Sequence, residues 1–418
     1  MLDLKALRED PEPFRAGLGR RGLSEAVDEL LELDERRRQL TTEVEELRAE
    51  QNRASKAIGR AKGDERQKLI DEVGKVSAEL KELEPQLEAA DTSLTAALAR
   101  VPNVPHPSAP DGFTDEDSVE VRKGGAVVPS FDFEPRDHVA LGELLGVLDI
   151  ERAVRTSGSR FVYLLGDIVL LQWALVRHAL DVLVSKGFTP VIPPVLVREE
   201  AMYGTGFLPT DEVNIYVTRE DDLYLVGTSE VSLAALHMTE ILDEADLPRR
   251  YAGYSTCFRR EAGTYGKDMG GMFRVHQFDK VEMFSFTRPE ASWEEHEFLV
   301  SVEEEIVGNL QLPYRVVNIA AGDLGGMAAK KYDIEVWLPG QRRYRELTSC
   351  SNCTDYQARR LQTRVRRSAG GNETLHTLNG TATAVGRTLI AILENHQRAD
   401  GSVGLPEALH RYLPASLR

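Results

Sequence analysis

The sequence is poor in cysteine, in positive charge and in long apolar runs, and each shortage removes a class of explanations. Three cysteines occur among 418 residues. Cys350 and Cys353 form a single Cys-x-x-Cys and Cys257 stands apart, with no second pair and no nearby histidine pair to complete a zinc site. Reduced, unligated thiols fit this pattern. The formal net charge of -17 argues against bulk, non-specific adhesion to nucleic acid, DNA included, but leaves room for a local basic patch. The opening MLDLKALREDPEPF has no apolar signal core, and no apolar run reads as membrane-spanning, so a cytoplasmic protein with no membrane partner is expected. Hydrophobic residues make up 42% of the chain, enough for a sizeable core, and the length allows two or three domains.

What is present first is a heptad repeat. Leu33, Leu40, Val44, Leu47, Ala54 and Ile58 recur at alternating fours and threes, in a series that also passes through Arg37 and Gln51. The spacing resumes at Leu69 and runs through Val73, Val76, Leu80, Leu83, Leu87, Ala90, Leu94 and Ala97 to Val101. Two such helices in succession predict a coiled coil. The connector Gly59 to Gln67 is too short for a parallel return, so an antiparallel arm over about residues 27–100 is expected, bent or locally interrupted at Pro85. The arm's base is acidic, whereas Arg53, Lys56, Arg60, Lys62, Arg66 and Lys68 crowd its tip, where a nucleic-acid backbone could bind. The segment VPNVPHPSAP then forbids a helix and marks a boundary, giving domains 1–110 and 111–418.

In the second domain, Tyr254 to Glu282 reads as strand, loop, strand, with Gly263, Gly266, Gly270 and Gly271 between the strands. A period of two puts Arg274, Phe278 and Glu282 on one face, so a cation, a flat ring and an acid share a surface that suits a nucleotide. Arg259 adds a planar fork for a carboxylate or phosphate. Phe188 to Val197 reads as an apolar strand confined by its prolines to an edge, where it would suit a contact with a second copy. Leu223 to Glu230 reads as a strand ending in Thr228, Ser229 and Glu230, which can receive an ammonium group or cap a helix. Glu346 and Ser349, near the end of another strand, offer a carboxylate and a hydroxyl for magnesium, or again a cap. Asn379 and Gly380 suggest a turn, and Arg387 opens a helix whose N-terminus could face a phosphate.

These motifs together resemble the class II aminoacyl-tRNA synthetases. Phe258-Arg259-Arg260-Glu261 is similar to motif 2, the Arg387 segment to motif 3, and Gly187-Phe188 to Pro194 to motif 1. The arm, PNVPHPS, the TSE triplet, RVHQFDKVE and ELTSCSNCTDYQARR resemble the bacterial-type seryl-tRNA synthetases in particular. The resemblance implies an α+β fold, an antiparallel sheet flanked by helices behind a coiled-coil arm, with ATP and Mg2+ as cofactors. It implies that Arg259 holds the serine carboxylate and the α-phosphate, with Arg260 beside it. Glu261 and the backbone at Val275 read adenine, and Phe278 stacks on it. Thr228, Ser229 and Glu230 take the serine ammonium, while Glu282 and Thr381, with Asn379, bond its hydroxyl. Glu346 and Ser349 hold the metal in a segment including Leu347 and Thr348, and Arg274 and Arg387 take the terminal phosphates. The implied partners are L-serine, tRNA(Ser) on Arg53, Lys56 and Arg60, tRNA(Sec) as a second candidate, and a second copy of the chain meeting at Pro194.

The implied reaction is attack of the serine carboxylate on the α-phosphorus of ATP, followed by transfer to a tRNA hydroxyl. It needs positioning and charge neutralisation more than a covalent nucleophile. Two positions depart from the family pattern: Thr383 where an apolar residue is expected, and Pro85 in the arm. A biosynthetic serine-activating relative and a catalytically silent RNA-binding protein are the competing functions. The arm with its basic tip weighs against the first, and the charge cluster Arg259, Arg274, Glu346 and Arg387 against the second.

Overall fold

The computed structural model describes residues 1–262 and 270–418; Gly263 and Gly266 of the expected loop lie outside the described residues. The chain divides into two compact units, Leu2–Pro102 and Asn103–Arg418, with Met1 grouped with the second. This division comes earlier than residue 110. The linker's backbone belongs to the second unit, since Asn103 N donates to Gly326 O at 2.8 Å and His106 N to Ala329 O at 2.8 Å.

In the first unit, α1 (Ala26–Ile58) and α2 (Gly63–Arg100) are 33 and 38 residues long, or about 50 and 57 Å at the usual helical rise. They run antiparallel: Arg37 meets Asp91, Arg48 meets Glu84 at 2.7 Å, and Gln51 Nε2 donates to Ser77 Oγ at 2.9 Å. Val44, Val76 and Leu80 form the buried seam that the heptads require. One detail differs from expectation. Asp64 and Glu65 sit in the first turn of α2, where the helix dipole favours acids, so the connector shortens to residues 59–62. The helix continues through Pro85, which is exposed; having no N–H, Pro85 cannot donate the helical bond to the Lys81 carbonyl, so the ladder is interrupted there by one bond, as expected.

The second unit is built on an eight-stranded sheet. Its strands are β1 (Val119–Gly124), β2 (Thr189–Val191), β3 (Arg249–Phe258), β4 (Gln277–Thr287), β5 (Tyr314–Asn318), β6 (Lys330–Leu338), β7 (Arg343–Asn352) and β8 (His376–Ala384). The spatial order is β1-β5-β6-β7-β8-β4-β3-β2, antiparallel throughout except where β2 joins β3 in parallel. Of the strand expected over Phe188 to Val197, only Thr189–Val191 forms β2, which does lie at an edge, while Leu196–Val197 pairs with Tyr224–Leu225 in a separate small sheet. Helices α3 (Asp167–Ser185), α4 (Ser292–Asn309) and α5 (Val385–Asn395) form one core with the sheet. Leu171 and Leu175, Leu299 and Ile306, and Leu389 and Ile392 pack there with Met283, Ile334, Cys350 and Leu378. Contrary to the sequence reading, α3 is long and apolar enough to cross a membrane by length and composition, but half of that window is buried inside the protein.

Asn379 and Gly380 lie within β8 instead of forming a turn. A Cβ at Gly380 would sit 2.8 Å from Glu303 Oε1 and 3.3 Å from Cys350 Sγ, so the glycine serves close packing between the sheet and α4. Thr383 is buried and donates to Ala382 O at 2.7 Å.

Candidate active site

The face of the sheet away from these helices carries the polar side chains. Alternation along β4 puts Phe278, Lys280 and Glu282 on it, and antiparallel pairing sets Glu282 opposite Thr381 of β8. Arg274 precedes β4, so it reaches the site from the loop and not from the strand face expected of it, and Val275 lies in the same loop. A bulge in β7 leaves Leu347 unpaired, with Thr348 opposite Ile334 and Glu346 opposite Glu335 of β6, and the extra residue keeps Glu346 and Ser349 on the same side.

One pocket is lined by Arg259, Glu261, Arg274, Val275, Phe278, Lys280, Glu346, Leu347, Ser349, Thr381 and Arg387, among others. Its cations are already engaged. Arg259 Nε donates to Gly227 O at 3.0 Å, and its guanidinium lies 5.3 Å from the centre of the Phe278 ring. Arg274 pairs with Glu261 at 2.6 Å. Arg387 pairs with Glu346 at 3.2 Å and shares the ring of Phe273 with Arg345, the two guanidiniums lying 4.7 and 3.9 Å from its centre. The Glu346 side chain is 47% exposed. The protein around it pushes its carboxyl up, but Arg387, Lys331 and Arg259 together outweigh that and hold it below the usual range.

Behind this pocket lies a buried polar layer. Lys280 joins it to the pocket: its Nζ donates to Thr228 Oγ1 at 2.7 Å and pairs with Glu282 at 2.5 Å. Thr381 Oγ1 lies 3.4 Å from Glu282 Oε2. Glu230 Oε1 accepts from Gln357 Nε2 at 2.8 Å and from Asn379 Nδ2 at 3.0 Å. Burial, then the nearby Glu282, pushes the Glu230 carboxyl up to about 7, against the pull of the Gln357 hydrogen bond, Lys280 and Arg259.

Three of the expected residues place their side chains elsewhere. Thr348 points into the core and donates to Glu303 Oε2 at 2.9 Å, because it alternates with Leu347 and Ser349 along β7. Ser229 is fully buried, 3.2 Å from where a Cβ of Gly253 would stand. Arg260 is exposed, and its backbone N donates to Asn214 O at 2.9 Å. Lys280 and Gln357 were missed. Lys280 was visible in the alternation that selected Phe278 and Glu282; Gln357 contacts Glu230 across 127 residues of sequence and left no local signal. In the other unit, Arg53, Lys56 and Arg60 are exposed at the end of α1 and just after it.

The pocket therefore joins fixed cations and an aromatic ring to a closed, hydrogen-bonded set of carboxylates and hydroxyls. Comparison with known proteins agrees with that chemistry. Residues 214–396 match the tRNA synthetase class II core domain (G, H, P, S and T), and residues 1–105 match the seryl-tRNA synthetase N-terminal domain. A serine--tRNA ligase of Nocardia farcinica is 52% identical over 98% of this chain and 97% of its own. One from Streptomyces coelicolor is 51% identical over 99% and 97%. The crystal structure of seryl-tRNA synthetase from Pyrococcus horikoshii complexed with ATP superposes with a TM-score of 0.92 at 46% identity, covering 99% of this chain and 98% of that one. With both units matched and relatives this similar along the whole length, the chain belongs to the seryl-tRNA synthetase family.

Proposed function

We propose that ATP and serine lie side by side in this pocket, with the nucleotide at its open end and the amino acid against the buried layer. The activity is that of a serine--tRNA ligase, which activates serine and charges tRNA with it. Phe278 offers a face for adenine, beside Glu261 and the Val275 backbone. Arg259 sits between the two ends, where it can touch both the serine carboxylate and the α-phosphate. Arg274 and Arg387 exchange their present partners, Glu261 and Glu346, for the terminal phosphates. Glu346 and Ser349 present hard oxygen donors on one face of β7, which fits magnesium; when bound, the ion neutralises phosphate charge.

In the first step an oxygen of the serine carboxylate forms a bond to the α-phosphorus and the bond to pyrophosphate breaks. In the second, a terminal tRNA hydroxyl attacks the seryl carbonyl and AMP leaves. The protein's contribution is to hold two anionic groups together and to stabilise the charge that gathers between them. Thr228 and Glu230 hold the ammonium group. Glu282, held by Lys280, and Thr381 take the hydroxyl, with Asn379 on the neighbouring Glu230, so alanine leaves buried polar groups unpaired and is rejected.

The basic arm tip, with Arg53, Lys56 and Arg60, binds the tRNA, which is tRNA(Ser) and by the same contacts tRNA(Sec), in the cytoplasm. Leu170, Trp173 and Val184 on α3 and Ile192 after β2 leave exposed apolar surface. A second copy of the chain covers it, with Pro194 at the contact. The observation that carries the reading is Lys280, which ties the cationic pocket to the carboxylates behind it.

The test is exchange of labelled pyrophosphate into ATP with serine, threonine, alanine, cysteine and glycine in parallel. Serine-only exchange is expected. Exchange with another amino acid would overturn the roles of Glu282 and Thr381, and none at all would overturn the reading.

A further inference from the structure

Glu261 can read adenine only if its carboxylate is aimed at the pocket, and its backbone is unusual, with φ at +50°. Three elements fix the base of the hairpin there. Arg259 N donates to His276 O at 3.0 Å, and His276 Nδ1 donates back to Arg259 O at 2.8 Å. Asn214 accepts from Arg260 N at 2.9 Å and, through Oδ1, from Ala262 N at 2.8 Å. The third element comes from outside the hairpin. Arg160 accepts from His276 N through its carbonyl at 3.0 Å and donates from its guanidinium to Glu261 O at 3.1 Å. One residue thus touches both sides of the hairpin, just beyond the end of β3 and just before the start of β4. Arg160 has φ at +62°, a conformation that favours glycine, yet it carries a long side chain whose head lands on the Glu261 backbone.

We propose that Arg160 is a positioning residue for recognition of the adenine base: by holding the Glu261 carbonyl, it keeps the carboxylate, paired with Arg274 in the empty site, in place to face the base once Arg274 turns to the phosphates. This rests on the reading of Glu261 given above. It acts through Glu261 and does not touch the serine end, where Thr228, Glu230 and Glu282 hang on Lys280, Gln357 and Asn379.

The experiment uses the full chain, with serine-dependent exchange by the unaltered protein established first; failure there would sink the functional reading and not this one. Arg160→Ala and Arg160→Gly remove the guanidinium, and glycine keeps the left-handed backbone at ease. Both are expected to raise KM for ATP about tenfold, the effect of losing one well-placed hydrogen bond to a binding group, and to leave KM for serine within about twofold. The preference for ATP over the triphosphate of purine riboside, which lacks the 6-amino group, is expected to shrink with them. Arg160→Lys, which keeps a cationic donor, recovers part of both. Should the first two variants fail to fold, Arg160→Lys alone gives the measurement, as a smaller loss of base preference. Unchanged base preference in every folded variant, or equal rises in both KM values, overturns the proposal.

Discussion

The two ends of the pocket treat their carboxylates in opposite ways. At the closed end Glu230 and Glu282 are 6% and 1% exposed and are held by neutral donors and one lysine. At the open end Glu346 is about half exposed and faces Arg387. Burial therefore drives Glu230 up to about 7, while nearby cations bring Glu346 down. A closed end with fixed polar partners selects a small hydroxylated ligand by leaving its own groups unpaired when the wrong one enters. An open, cationic end takes in a highly charged nucleotide and releases pyrophosphate.

Arg259 stands where the ends meet, so its loss should hurt most. Arg259→Ala is expected to lower exchange by about a thousandfold, the scale for removing a donor that stabilises charge in the transition state. A loss under about tenfold would place the carboxylate and α-phosphate elsewhere.

Glu230→Gln breaks the closed end alone. Both hydrogen bonds to Glu230 are accepted by Oε1, so the amide can keep them while losing the charge that receives an ammonium. KM for serine should rise about a hundredfold, with KM for ATP nearly unchanged. Stability should move the other way. A carboxyl whose folded pKa is raised binds more protons folded than unfolded, so its contribution is present below the ordinary 4.5 and lost as pH rises through about 7. At about pH 8 the glutamine variant is expected to be more stable, by on the order of 3 kcal/mol. Urea denaturation at about pH 8 and about pH 4 checks this, since the gain must vanish at the lower pH.

Phe278→Leu weakens the open end. Loss of an aromatic face for a base should raise KM for ATP about tenfold and spare serine, as read from exchange kinetics with each substrate varied. Equal changes in both would mean the ring only supports Arg259.

Local patterns carried much of this into the sequence. The heptads of the arm and the alternation of Phe278, Lys280 and Glu282 are short-range, and both appear as expected in α1, α2 and β4. The strand order β1-β5-β6-β7-β8-β4-β3-β2 is non-local and was not legible. Asn379-Gly380 misled for a physical reason: the same pair that signals a turn also permits a close approach, here to Glu303 and Cys350. Arg160 and Gln357 reach their partners across 101 and 127 residues, so no spacing could reveal them.

The smallest effect is the sharpest test of the contrast between the ends. The groups facing Glu230 include Glu282, Lys280, Gln357, Asn379, the buried Cys353 thiol and Arg259. With its carboxyl near 7 in the empty site, Glu230 takes up a proton as pH falls below that value, and a neutral acid receives an ammonium poorly. KM for serine should therefore rise by up to about tenfold between about pH 8 and about pH 6, since each unit below the pKa removes about nine-tenths of the ionised form. KM for ATP should stay within about twofold over the same range, because Arg387, Lys331 and Arg259 keep Glu346 ionised there. Glu230→Gln should abolish the slope for serine. If the slope persists in that variant, the titrating group is not Glu230, and the closed end is tuned by another of the carboxylates buried beside it.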